Sequence, residues 1–166
     1  MSLLKQKAQQ IQLILLDADN ILTDGQIIWS SQGKETKNFH VLDGFGIKRM
    51  QTAGFKVGVL SARASEVTEY RAKELEMDII SIGSKEKRKA LDKMLSDLKL
   101  EYQHVAYMGD DLLDLPVLQV CGFSATVPEA VFEVKRMVDY VTQCSAGKGA
   151  IREWLDLLLH LSNKAK

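Results

Sequence analysis

The sequence is short of cysteine, of net charge and of long apolar runs. Its 166 residues hold only Cys121 and Cys144. Two thiols are too few for a disulfide framework, and their spacing is not one that ligates a metal. They read as reduced thiols of a cytoplasmic protein. Lys plus Arg and Asp plus Glu each number 22, so the formal net charge is zero. Without a basic excess there is no electrostatic basis for binding nucleic acid or an anionic membrane. No apolar stretch approaches the roughly 20 residues needed to span a bilayer. The opening MSLLKQKAQQ lacks a long apolar core and a small-residue cleavage site, so no signal peptide is expected. Repeats, low-complexity tracts and interdomain linkers are also missing. What remains is an ordinary globular composition, 46% hydrophobic and 27% charged, in a length that suits one domain over residues 1–166.

The most informative stretch is IQLILLDADNILTDG, residues 11–25. A continuous apolar run that ends in acids and turn residues reads as a buried parallel strand. It delivers Asp17 and Asp19 at its C-terminal end, where open α/β sheets bind ligands. Two carboxylates beside a buried strand are costly without a cation, and a divalent metal is the simplest partner. After Asp24-Gly25, the segment at about 26–41 reads as a β-hairpin with Ile27, Ile28 and Trp29 on its first run. The hairpin is expected to project from the body and to expose an apolar subunit contact.

Further on, strands are expected at 55–60, 78–82, 104–108, 122–126 and 139–141. They alternate with helices at 43–53, 65–75, 85–98, 112–120, 128–137 and 150–161. Ser65 suits an N-cap, Gly54 a C-terminal cap, and Pro116 a first turn. Gly147-Lys148-Gly149 reads as a hinge before the closing helix, within a C-terminal tail at about 145–161. This alternation implies right-handed crossovers and an α/β fold: a mostly parallel sheet with helices on both faces. Three strand ends then converge. One carries Asp17 and Asp19, one Ser61 and Arg63, and one Asp110 and Asp111, with Asp114 a turn later. Acids with a nearby cation suit a hard metal ion and a phosphate.

These motifs resemble the haloacid dehalogenase (HAD) superfamily of phosphohydrolases, whose four motifs have counterparts here in order. They are Asp17-Ala-Asp19-Asn-Ile-Leu-Thr23-Asp24-Gly25, Ser61 after an apolar strand, a lysine after Gly83, and Gly109-Asp110-Asp111-Leu-Leu-Asp114. LTDG (22–25), FHVLDGFGIK (39–48), LSAR (60–63), GDDLLDLPV (109–117) and GKGAIRE (147–153) resemble the small capless phosphatases of 3-deoxy-D-manno-octulosonate (KDO) 8-phosphate. The resemblance implies a HAD-like three-layer fold without a cap domain. It implies Asp17 as nucleophile and Asp19 as general acid and base. Mg²⁺ would sit on Asp17, Asp110 and the backbone carbonyl of Asp19. Ser61 and Lys87 would hold phosphate oxygens, with Asp111 and Asp114 orienting waters and Lys87. Thr23, Arg63 and Arg152 would serve phosphate or substrate. The resemblance further implies a homotetramer built through the hairpin, with a neighbour covering each site.

Two positions depart from the pattern. Asn20 stands where glycine is usual, and Asn tolerates a left-handed backbone. Leu42 stands where many relatives carry arginine. The alternatives are a phosphatase of a nine-carbon ulosonic acid 9-phosphate and a non-catalytic oligomerisation module. The module predicts loss of Asp17 or Asp19, and both are present. A phosphoacceptor receiver would need its acid after the third strand, which here ends in Ser81-Ile82-Gly83.

Overall fold

The computed structural model describes residues 3–164. Its elements in chain order are α1 (Leu3–Gln10), β1 (Leu13–Leu16), a wide helical turn at Ala18–Leu22, β2 (Ile28–Trp29), β3 (Glu35–Thr36), α2 (Val41–Thr52), β4 (Lys56–Ser61), α3 (Glu66–Glu74), β5 (Ile79–Ile82), α4 (Lys87–Leu98), β6 (Val105–Met108), α5 (Leu115–Leu118), β7 (Phe123–Thr126), α6 (Phe132–Lys135), β8 (Tyr140–Val141) and α7 (Ala150–Leu161). Six strands form one parallel sheet in the order β5-β4-β1-β6-β7-β8. From β1 the chain winds outward through β4 to β5, then returns to the other side of β1 at β6. With right-handed crossovers, that reversal puts α2 and α3 on one face and α4 and α5 on the other. It also opens a crevice at the carboxyl ends of β1 and β6, the switch point where such sheets bind ligands.

The central strands are apolar because both their faces are covered. Leu13 to Leu16 and Val105 to Met108 are fully buried. α7 seals the sheet with Ile151, Trp154, Leu155 and Leu158, and Trp154 meets Phe123 at 6.3 Å between ring centroids. The start of α7 is fixed by Asp43 of α2. Its buried carboxylate accepts from the backbone N–H of Arg152 at 2.8 Å and of Gly149 at 3.3 Å. An acid at a helix N-terminus satisfies donors that have no partner within the helix. Among the described residues no helix is long and apolar enough to cross a membrane. Cys121 and Cys144 are free thiols.

Three elements differ from the sequence expectation. The helix expected at 128–137 is confined to Phe132–Lys135, because the preceding backbone turns to serve the crevice: the Val131 N–H donates to the Asp110 carbonyl at 3.0 Å. The helix expected at 112–120 is divided. Asp111 and Asp114 cap each other across a tight turn at Leu112–Asp114, and α5 follows. The hairpin strands are only two residues each and form a separate antiparallel pair. Ser65 caps α3 as expected, accepting from the Thr68 N–H at 3.3 Å.

Candidate active site

Asp17 directly follows β1, and its N–H donates to the Met108 carbonyl of β6 at 2.9 Å. The carboxylate is thereby fixed at the mouth of the crevice. Its Oδ1 accepts from the Ala18 N–H at 2.8 Å. The chain then makes its wide turn, which requires Asn20 in the left-handed region at φ 57°. Asparagine tolerates that conformation, so the usual glycine is dispensable here. Asn20 also adds a bond that glycine cannot make: its Nδ2 donates to Asp110 Oδ2 at 2.7 Å. Thr23 is fully buried, and its hydroxyl accepts from the N–H groups of Asn20 at 3.2 Å and Gly25 at 3.3 Å. Gly25 has φ +79°, and a Cβ there would lie 2.8 Å from Asn20 Oδ1, so this corner needs glycine.

The second wall comes from β6 and the turn after it. Asp114 has no exposed surface, and both its oxygens are occupied. Oδ1 accepts from Lys87 Nζ at 2.6 Å and from Tyr107 Oη at 2.5 Å. Oδ2 accepts from the N–H groups of Asp110 at 2.9 Å and Asp111 at 3.1 Å. Gly109 lets this carboxylate approach, since a Cβ there would lie 2.4 Å from the Asp114 carboxyl carbon. Lys87, buried at the start of α4, also reaches Asp17 Oδ1 at 2.8 Å. Lys85 is exposed on the preceding loop. Asp111 is exposed, and its carboxylate accepts from the Leu112 N–H at 2.7 Å.

The third wall is β4 and the hairpin. Ser61 is buried at the strand end, and its hydroxyl donates to the Arg63 carbonyl at 3.2 Å. Asp19 stands at the rim with its side chain 30% exposed. Its Oδ1 accepts from Lys37 Nζ at 2.5 Å, and Arg63 lies 3.6 Å from Oδ2. Arg63 also pairs with Glu35 of β3 at 2.5 Å and lies over the Trp29 ring at 5.9 Å. The hairpin is thus tied back to the site through its second strand.

One ligand oxygen from each of Asp17, Asp110 and Asp114 lies within 4.8 Å of the others. Three carboxylates face one ammonium, so the cluster carries an excess of about two negative charges when all are ionised. Burial pushes the Asp17 carboxyl up to about 7, aided by the Asp114 charge and opposed by Lys87. Burial likewise pushes Asp110 up to about 6, against the Asn20 hydrogen bond. Lys87 is displaced upward: burial works against its charge, but the charges and hydrogen bonds of Asp17 and Asp114 outweigh it. A hard divalent cation fits this donor set, because it supplies the missing charge to oxygen ligands. Asp17 and Asp110 are the carboxylates available to it. Asp114 is saturated by four donors and serves instead as a support for Lys87 and the Asp110 loop.

The same shifts give a signed pH dependence. Because the folded-state values of Asp17 and Asp110 are raised, their protonated forms favour folding below about pH 4. That contribution is lost as pH rises through about 6 and 7, unless a cation joins them. Mg²⁺ will therefore raise Tm more at ~pH 8 than at ~pH 5, with proton release on binding between the two. Equal Tm increments at both pH values in a thermal melt would count against this cluster as the metal site.

A model of the haloacid dehalogenase-like hydrolases matches residues 78–155. The 3-deoxy-D-manno-octulosonate 8-phosphate phosphatase of Haemophilus influenzae is 37% identical, over 98% of this chain and 90% of its own length. The chain belongs to this phosphatase family of the haloacid dehalogenase-like hydrolases. A crystal structure of the Moraxella catarrhalis phosphatase with magnesium, phosphate and KDO is 39% identical and superposes with a TM-score of 0.94, covering 96% of this chain and 92% of that one. The cobalt-bound Haemophilus influenzae phosphatase is 37% identical with a TM-score of 0.90, over 95% of this chain and 92% of that one.

Within this hydrolase, Asp17, Asp110, Asp114 and Lys87 meet at the crevice, with Ser61, Asp19 and Arg63 at the neighbouring strand end. Two residues expected to serve phosphate or substrate lie elsewhere. Thr23 is inside the loop it braces. Arg152 sits on the seam between α2 and α7, where its Nε donates to Asp156 at 2.7 Å and its guanidinium covers Phe45 at 5.4 Å. Three residues of the site were not expected from sequence: Lys37, Tyr107 and Asn20 as a side-chain donor. Glu35, Lys37 and Phe39 share one face of the hairpin and alternate with exposed Thr36 and Asn38, and that period of two marks an inward-facing lysine.

Proposed function

We propose that this chain is a Mg²⁺-dependent phosphatase that hydrolyses KDO 8-phosphate to KDO and phosphate through an aspartyl-phosphate on Asp17. The observation that carries the reading is the placement of Asp17 at the switch-point crevice, held by Lys87 at 2.8 Å, with Asp19 two residues on at the rim. Asp17 Oδ1 is held by Lys87 and the Ala18 N–H, which leaves Oδ2 to attack phosphorus. As that bond forms, the bond from phosphorus to the sugar oxygen breaks, and Asp19 gives its proton to the leaving oxygen. A water then gives a proton to Asp19 and attacks phosphorus, releasing phosphate and restoring the Asp17 carboxylate. Lys87 and Ser61 hold the transferring phosphoryl oxygens. The cation, held by Asp17, Asp110 and the Asp19 carbonyl, supplies charge neutralisation between an anionic nucleophile and an anionic substrate. Arg63, half-exposed between Trp29 and Asp19, is the residue we assign to the sugar acid.

The reading also includes a cytoplasmic homotetramer assembled through the hairpin. Trp29 of β2 is 58% exposed and Ile27, just before the strand, is 57% exposed, an apolar surface that asks for a partner. Trp29→Glu is expected to reduce the assembly to smaller species by light scattering. An unchanged mass would remove the hairpin from the interface.

The test is phosphate release with Mg²⁺ or with EDTA, on KDO 8-phosphate, a nine-carbon ulosonic acid 9-phosphate, hexose phosphates and p-nitrophenyl phosphate. Mg²⁺-dependent release favouring KDO 8-phosphate is expected. Preference for the nine-carbon acid would change the substrate, and no release from folded, metal-loaded protein would overturn the reaction.

A further inference from the structure

Lys37 is a buried charge that the mechanism above leaves unused. Its side chain has no exposed surface, although it comes from a hairpin whose other face is open to solvent. Three groups receive the ammonium. Asp19 Oδ1 lies at 2.5 Å, Thr68 Oγ1 of α3 at 2.9 Å, and Glu35 Oε1 at 3.9 Å. Burying an ammonium costs several kcal/mol before its partners are counted, and replacing a whole buried ion pair by apolar residues is often neutral or stabilising. The partner it meets is the rim carboxylate, which stays partly in water. Stability alone therefore gives a weak reason for a lysine here.

Asp19 has a reason to need it. Its backbone is ordinary extended chain at φ −71°, ψ 133°, which leaves the side-chain rotamer free. Asp17 is fixed by the Ala18 N–H, and Asp114 by two backbone donors, whereas Asp19 takes its fixed donor from another element. Lys37 engages Oδ1, while Arg63 at 3.6 Å from Oδ2 is beyond hydrogen-bonding distance. One oxygen is held by a hydrogen bond, and the other has only the longer ion-pair contact with Arg63.

We infer that Lys37 is a positioning residue for the acid–base step: anchored on Thr68, it holds Asp19 Oδ1 so that Oδ2 faces the proton to be moved. This rests on the reading of Asp19 as acid and base. It also gives the hairpin a role in turnover separate from assembly. Both proton transfers pass through Asp19, so both depend on Lys37. Attack by Asp17 on an ester whose leaving group departs as a stable anion does not.

The experiment compares wild type, Lys37→Met and Thr68→Val as full chains with Mg²⁺. With KDO 8-phosphate, Lys37→Met should lower kcat by about 100-fold with KM within about threefold, the size of a lost acid–base contribution. With p-nitrophenyl phosphate, bond breaking needs no proton. Rapid mixing should then show a burst of about one nitrophenolate per active site at near wild-type rate, followed by slow turnover, because the water step still needs Asp19. Thr68→Val should show the same pattern with a smaller loss, and it carries the test if Lys37→Met does not fold. Equal losses in burst and steady state, or a kcat within about threefold of wild type in both variants, would overturn the inference. Absence of release by wild type would instead remove the acid–base reading itself, and the wild-type arm shows this separately.

Discussion

Asp17→Asn will abolish phosphate release and leave the fold intact. The amide keeps the size of the carboxylate but cannot attack phosphorus, so kcat should fall by at least about 10⁴-fold. The structural effect should run the other way. Burial and the Asp114 charge push the Asp17 carboxyl up to about 7, which means the folded protein bears a cost for its ionised form. A neutral amide removes that cost. Lys87 keeps Asp114 at 2.6 Å as its counter-ion. Tm of the metal-free variant at ~pH 8 should therefore equal or exceed that of wild type. Mg²⁺ should stabilise the variant less than wild type, since one carboxylate ligand is gone. Turnover within about tenfold of wild type would exclude Asp17 as the nucleophile.

Lys87→Met should cost both stability and activity. Lys87 Nζ joins Asp17, Asp114 and the Tyr107 hydroxyl at 2.8, 2.6 and 3.2 Å. Removing one partner of a buried ion pair leaves the other charge without its counter-ion, a loss of about 3–5 kcal/mol. The upward displacement of Lys87 gives the sign. Its contribution is complete below the ordinary lysine value and is lost only above it, so the loss will be seen at neutral pH. Chemical denaturation should show it as a lower midpoint, and phosphate release should fall with it. Lys85→Ala, two residues earlier on an exposed loop, should stay within about 0.5 kcal/mol of wild type and keep its activity. If Lys85→Ala is the damaging change, the third motif has been placed on the wrong lysine.

The parts of the fold that could be read in advance are those where one physical signal acts alone. Leu13–Leu16 and Val105–Met108 are apolar on both faces, the pattern of a strand covered on each side. Asp17, Asp110 and Asp114 follow these strands, so the position of the acids came with the strands. Asn20 was legible as a backbone residue, since few side chains accept φ 57°. Its second use, donating to Asp110, depends on two loops 90 residues apart and has no local trace.

Other parts were hidden because two signals compete. Residues 128–137 have helical character, but the Val131 N–H is drawn to the Asp110 carbonyl, and that tertiary bond shortens the helix. KETKNF, residues 34–39, falls in the second run of the expected hairpin, and charge in a hairpin usually faces water. Only the alternation of Glu35, Lys37 and Phe39 points inward, and the strand is too short for periodicity to outweigh composition. Tyr107 is apolar by position in β6, so its hydroxyl on Asp114 appears only when the turn after Gly109 is folded back. Asp43 marks the start of a helix in sequence, yet it caps a different helix, α7, from across the fold.

The most direct measurement is an acid-quenched single turnover with Mg²⁺ and KDO 8-phosphate, followed by peptide mass analysis. One phosphoryl group is expected on the peptide that contains Asp17, at Asp17, appearing and then decaying as free phosphate is released. A phosphoryl group on any other residue would contradict it. So would full release with no phosphorylated peptide at any quench time.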